Sequence, residues 1–429
     1  MKIRITKTTK ITGIIILCYI AFSDLFGTFQ FEAFISGRVY DYIFVFILGL
    51  LIYRRFKKKH VALKVEKEIE RGVDILILYG LVGGIVLVIK QQQGILLTIF
   101  TLRDMYYIFG YIFFMDSMYD VRKVIKTIVM LEMIMCVVNI IITFVGPASW
   151  MVVRGGYTSA NVFRLYCNFP FTYFTLPILV YSCGRKNYLY NKYLDYFFII
   201  LYFVTLIVRQ GRTALFVAAL ISIIAYIFFV DRQSIIRGLK LFLMSFFLVL
   251  FAWISLPQFT QRVFEGVVDI MNWGGFSNTA NTTFEARTVV LYNRFLYLKN
   301  ISSLWFGLGP LHGEGYIFEN IGYGVHDIAN NGIISGDSDW ATILFRYGLV
   351  GVFLFFFCFG NIIFHTIHSQ NILMRCVALM AIGMVLSAIN SVWSLNFGAF
   401  FEFGIIYGIA LKAEKQKIWM IGEKRESAL

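Results

Sequence analysis

Charge is scarce in this chain: 15% of its residues are charged and 59% hydrophobic. Soluble domains carry about 25% charge, so the shortage excludes an ordinary water-soluble fold. None of the six cysteines (Cys18, Cys136, Cys167, Cys183, Cys358 and Cys376) forms a CxxC pair. Without that spacing they read as small apolar core residues, not disulfide partners or metal ligands. HExxH, nucleophile-elbow and P-loop patterns are also missing, which removes the commonest hydrolase and nucleotide-binding readings. The N-terminus has a basic start and an apolar run but no small-residue cleavage site after it. It is expected to be an uncleaved first span. No internal repeat is evident, which argues against the repeat-built transporter folds.

What the chain does have is apolar length. About twelve segments approach the roughly 20 residues that cross a bilayer. They run near 11–28, 39–53, 75–89, 94–115, 128–146, 168–183, 194–208, 213–230, 241–257, 341–364, 376–392 and 395–411. The expected fold class is therefore an all-α polytopic membrane protein, with backbone polar groups satisfied inside helices. The sixth segment is the weakest, because Pro170 and Pro177 each remove a helix donor. The 45 Phe and 25 Tyr suit lipid-facing surface and interfacial belts.

The formal charge of +14 is dispersed between apolar segments and does not form a basic patch, so nucleic acid is not an expected partner. With the N-terminus in the cytoplasm, 27 of the 39 Lys and Arg fall on inside segments and 11 outside, with Arg103 within the fourth span. The positive-inside rule favours that orientation and puts both termini in the cytoplasm. The chain then divides into spans one to nine (1–257), a large outside loop (258–340), and spans ten to twelve with a tail (341–429). A loop of that length is expected to be functional. Within it, TTFEARTVVLYNRFLYLKN has apolar residues at helical spacing and should lie as an amphipathic helix along the membrane face. FGLGPLHGEGYIFENIGYG follows, its glycines implying turns and close backbone approach. GLVGG (Gly80 to Gly84) reads as GxxxG-type helix packing.

This topology places Arg209 and Arg212 of RQGR on the outer face, where topogenic arginines are disfavoured. If the eighth helix begins there, their i, i+3 spacing puts both guanidiniums on one side. Snorkelling into headgroups is one reading. The other is a fork for phosphate or diphosphate. Arg154 and Arg164, in the outside loop before the proline-bearing span, would complete an anion-binding rim. Arg103 is the deepest charge, and it must pair with Asp104, snorkel, or face a cavity. Near the end of the large loop His326, Asp327, Asp337 and Asp339 are candidate proton acceptors or solvated loop groups. The DSD triplet 337–339 also fits a DxD metal motif, but nucleotide sugars are cytoplasmic and this loop is outside. No metal is expected.

Three stretches resemble the O-antigen polymerase and O-antigen ligase superfamily of bacterial polysaccharide assembly. RQGRTALFVAAL is similar to that family's arginine-containing element at the start of a span. FEARTVVLYNRFLYLKNISSLWFGLGPLHGEG resembles its arginine, aromatic helix and GxG turn, and DSDWATILFRYGLVG its closing HNxYL…YGxxG pattern. The resemblance implies a GT-C-like membrane glycosyltransferase in the bacterial cytoplasmic membrane, acting at its outer face. Its substrate would be an undecaprenyl-diphosphate-linked oligosaccharide, with no cofactor, and its partners membrane lipids and a chain-length regulator protein. By position, Arg212 and Arg287 match family arginines, and Asp337 stands where ligases have histidine. That departure favours a repeat-unit polymerase over a ligase, although His326 upstream could serve instead. A flippase for lipid-linked sugars, from a different class, would need charges deep in several helices.

Overall fold

The computed structural model describes residues 6–22, 32–56, 64–90, 92–147, 155–157, 163–165, 169, 171–209, 211–229, 283–312, 338–388 and 397–418. Nearly all of them are helical. In chain order the first helices are α1 (Lys7–Phe22), α2 (Glu32–Phe56), α3 (Lys64–Ile89) and α4 (Ile95–Tyr106). A 3-10 turn (Tyr107–Gly110) carries α4 into α5 (Tyr111–Asp116), and α6 (Val121–Val145) follows. Next come α7 (Thr172–Gly184), α8 (Lys192–Val208), α9 (Arg212–Phe229) and α10 (Thr283–Asn300). The last three are α11 (Asp339–Ile367), α12 (Ile372–Ser387) and α13 (Phe397–Lys415). Short polar residues start several of them. Asp120, Asn191, Ser338 and Asn371 each accept a backbone N–H from the first turn that follows. Among the described residues the exception to an all-α fold is an antiparallel hairpin of β1 (Gly155–Tyr157) and β2 (Phe163–Leu165), with Gly156 opposite Arg164.

The expected number of spans is corrected. Among the described residues, four helices are long and apolar enough to cross a membrane: Glu66–Ile89, Ile95–Asp116, Val121–Val145 and Asp339–Ile367. Thr213–Phe229 and Ile372–Ser387 are apolar but shorter. Segment 168–183 forms only the 13 residues of α7, which starts just after Pro170 and carries Pro177 inside it. At 1.5 Å per residue that is about 20 Å of helix. Segment 194–208 lies in α8, of 17 residues. Apolarity alone could not tell these shorter helices from full spans. The expected ninth span, 241–257, lies outside the described residues, and so does most of 258–340.

The expected tenth span is interrupted. Gly348 has φ 63 and ψ −167 within α11, and the chain reverses there. The Trp340 ring stacks on Phe356 with centroids 4.5 Å apart, although a continuous helix would separate those positions by about 24 Å. The short first half of α11 therefore folds back on the second. The second half runs antiparallel to α3: Asn361 Nδ2 donates to the Glu68 carbonyl at 2.8 Å, and Gly72 lies against Cys358. Gly80 and Gly84 of α3 face Leu102 and Thr98 of α4 with no room for a Cβ, so GLVGG does serve helix packing.

Candidate functional site

The break in α11 leaves backbone groups without helical partners, and the segment after α10 supplies them. Leu308 and Gly309 N–H donate to the Phe345 and Arg346 carbonyls at 3.0 and 2.7 Å. Leu349 and Val350 N–H donate to the Leu304 and Trp305 carbonyls, both at 3.0 Å. The Tyr79 hydroxyl of α3 reaches the Tyr347 carbonyl at 2.8 Å. An interrupted helix in a membrane protein survives only when its freed groups are satisfied in this way. Gln93 holds the other end of the segment, its amide donating to the Pro310 carbonyl at 3.0 Å while its Oε1 accepts from His312 N–H at 2.7 Å. Tyr79→Phe is expected to lower stability by about 1–2 kcal/mol through the unmet Tyr347 carbonyl. A thermal melt of the detergent-solubilised protein measures it.

This docking carries α10 against the first half of α11. Leu298 of α10, Leu344 and Phe345 form a buried apolar cluster with Leu87 and Leu311. Arg294 is drawn into it and is only 2% exposed. Its Nη1 donates to Thr342 Oγ1 at 3.1 Å, and its guanidinium lies 5.3 Å from the Phe345 ring centre. Arg346 stands one turn beyond Thr342 on the same face of the half-helix. Burial, and then the positive charge of Arg346, push Arg294 down to about 9. Arg287, partly buried, stands two turns before Arg294 on the same side of α10. Arg287 stands out in the sequence, whereas Arg294 and Arg346 gain their place only through packing; the seven-residue spacing from Arg287 to Arg294 is the one signal of it in the sequence.

The other candidates are placed as follows. Arg209 closes α8, its N–H on the Thr205 carbonyl at 2.8 Å and its guanidinium 5.2 Å from the Phe169 ring centre. Arg212 opens α9. The two arginines therefore cap different helices, which overturns the expectation that one helix presents both. The Arg212 side chain lies outside the described residues, as do Arg154, His326, Asp327 and Asp337 and the side chain of Arg164. Asp339 is the first residue of α11 and is buried. Arg103 ion-pairs with Asp41 of α2 and not with Asp104, and lies 5.0 Å from the Phe100 ring centre. Asp104 is in electrostatic reach of both Arg346 and Arg103.

Two of these regions flank one end of α12. On one side Tyr173, in electrostatic reach of Arg209, shares a hydrogen bond of 2.5 Å with Ser387. On the other side Trp340, next to Asp339, gives its backbone N–H to the Ala388 carbonyl at 3.4 Å and its indole N–H to Val385 at 3.1 Å. A cation at a helix junction and a buried carboxylate are thus brought to the same helix end from distant parts of the chain.

Another buried carboxylate lies outside the sequence-based candidates. Glu132, midway along α6 and 0% exposed, accepts from Phe171 N–H at 2.7 Å, Thr172 Oγ1 at 3.3 Å and Tyr202 Oη at 2.8 Å. It caps the start of α7 from a neighbouring helix. Among the described residues no Lys, Arg or His forms an ion pair with it. The view that Arg103 is the one deep charge is therefore corrected; a glutamate inside TIVMLEMIMCVV was signal enough. No family model, curated protein or solved structure matches the chain.

Proposed function

We propose that this chain is a polysaccharide repeat-unit polymerase of the bacterial cytoplasmic membrane, with a GT-C-like arrangement of helices. Both termini would be cytoplasmic and the loop 258–340 would lie outside. The observation that carries the reading is that Tyr173, in electrostatic reach of Arg209, and Trp340, next to Asp339, both hydrogen-bond to the end of α12. In the proposed reaction a hydroxyl of an incoming lipid-linked repeat attacks the anomeric carbon of the growing chain. The new glycosidic bond forms as the bond to undecaprenyl diphosphate breaks, and the hydroxyl proton passes to a base. Arg209 and Arg212 would hold the diphosphate and stabilise its developing charge, helped by Arg154, Arg164 or Arg287. Asp337 or His326 would take the proton, with Asp339 beside them to bind sugar.

Arg212→Ala and Arg287→Ala are expected to lower polymer yield by about 100-fold or more, the scale seen when one transition-state donor is removed. Polymer length and yield are read at matched membrane levels. Unchanged polymer in both variants would sink the proposal. A ligase reading shares the chemistry; deletion leaves long lipid-linked polymer if the protein is a ligase and single repeats if it is a polymerase.

Glu132 favours a second reading, a flippase for lipid-linked sugars, because it adds a deep charge beyond Arg103. Polymer made by purified protein in detergent, where no two compartments exist, excludes that alternative.

A further inference from the structure

Trp305 and Phe306 lie in the segment that docks on the break of α11, yet their side chains are 64% and 69% exposed. Large aromatics at that exposure are usually on flexible ground. Here the backbone beneath them is fixed, because the Trp305 carbonyl accepts from Val350 N–H and the Leu304 carbonyl from Leu349 N–H. The Phe306 carbonyl also lies 3.4 Å from the Tyr79 hydroxyl. The same contacts set the level of the segment along α3. Tyr79 meets Phe306, Gly83 meets Gly309 and Pro310, and Leu87 meets Gly309. Tyr79 and Gly83 precede the end of α3 at Ile89 by about 15 and 9 Å of helix. The segment thus runs beside the interior of a membrane-length helix, below its end at Ile89. At that level α3 exposes Leu78, Val82, Ile85 and Val86. The two aromatics continue an apolar surface already suited to lipid.

We propose that Trp305 and Phe306 face the acyl chains of the bilayer, so that the segment joining α10 to the α11 break is a lipid-inserted anchor. Irregular backbone is excluded from hydrocarbon unless its polar groups are paired. The carbonyls of 304 and 305 and the N–H groups of 307, 308 and 309 are paired within the protein, which favours a submerged position. Anchored there, α10 with Arg287 and Arg294 is held against the membrane body and not on a free extramembranous domain.

The test uses the full-length protein in nanodiscs. Tryptophan emission is compared between wild type and Trp305→Phe, and the difference spectrum isolates Trp305. Phosphatidylcholine brominated along its acyl chains should quench most of that component, and aqueous iodide should leave it nearly intact. Quenching chiefly by iodide would mean that the tip faces water. No response to either would mean that another part of the protein covers it. Both results overturn the proposal. Phe306→Trp in the Trp305→Phe background moves the reporter by one residue and should reproduce the bromolipid response. Emission from that second reporter that answers to iodide instead also counts against insertion.

Discussion

Gly348→Ala is expected to cost roughly 2–6 kcal/mol, enough to remove most folded protein from the membrane fraction. Two effects add. The backbone there, at φ 63 and ψ −167, is in a region essentially reserved for glycine, worth about 1–3 kcal/mol. A Cβ would also lie 2.5 Å from the Gly307 nitrogen and from the Trp305 carbonyl group. Overpacking typically costs about 1–3 kcal/mol, and here the obstacle is backbone that cannot rotate away. The relation is reciprocal, since a Cβ on Gly307 would lie 2.5 Å from the Gly348 nitrogen. Each glycine is the room the other needs. Gly360→Ala, in the same helix with nothing within 4 Å of the added Cβ, should be neutral or stabilising by up to about 1 kcal/mol. Thermal unfolding and monodispersity of the two variants decide the matter. A Gly348→Ala protein as stable as Gly360→Ala would mean that the helix is continuous at that point.

Glu132→Ala carries the second large effect, expected at roughly 3–6 kcal/mol. The substitution leaves Phe171 N–H, Thr172 Oγ1 and Tyr202 Oη without their acceptor, and each unmet buried group costs about 1–3 kcal/mol. Thr175, 2.5 Å from the Tyr202 hydroxyl, extends the damage, because the two groups share one network. Glu132→Gln keeps one carbonyl acceptor and nearly the same volume, so it should recover part of the loss. Equal destabilisation by alanine and glutamine would show that charge rather than hydrogen bonding holds the start of α7. Neither variant touches the proposed diphosphate site directly. A folded Glu132→Gln protein that still polymerises would therefore place Glu132 in the scaffold, while one that folds and fails would reopen the flippase reading.

How much of this was legible in the sequence differs from element to element. Val121–Val145 and Glu66–Ile89 were visible only in their apolar parts, 128–146 and 75–89, because lipid-facing residues show as hydropathy while the charged first turns read as loop. The helix Thr283–Asn300 was visible through the periodicity of TTFEARTVVLYNRFLYLKN. The break at Gly348 was not, since DWATILFRYGLVGVFLFF reads as one hydrophobic segment. Hydropathy counts residues, and it is indifferent to whether the chain runs on or turns back. The FGLGP turn was legible as a turn, but its partner, some forty positions along the chain, was not. RQGR drew attention through its charge, yet which helix each arginine caps depended on where α8 ended.

The sequence by itself determined the solvent for this chain. Scarce charge and repeated apolar length leave a helical membrane protein as the economical way to satisfy the backbone. Tertiary structure alone decided which groups meet: Gly307 with Gly348, Arg294 with Thr342, Glu132 with the start of α7, and the Arg209 and Asp339 regions at the end of α12. The physical reason is that burial in lipid is a one-residue property, summed along the chain. Pairing of polar groups is a property of two residues, and it is fixed only when helices distant in sequence pack side by side.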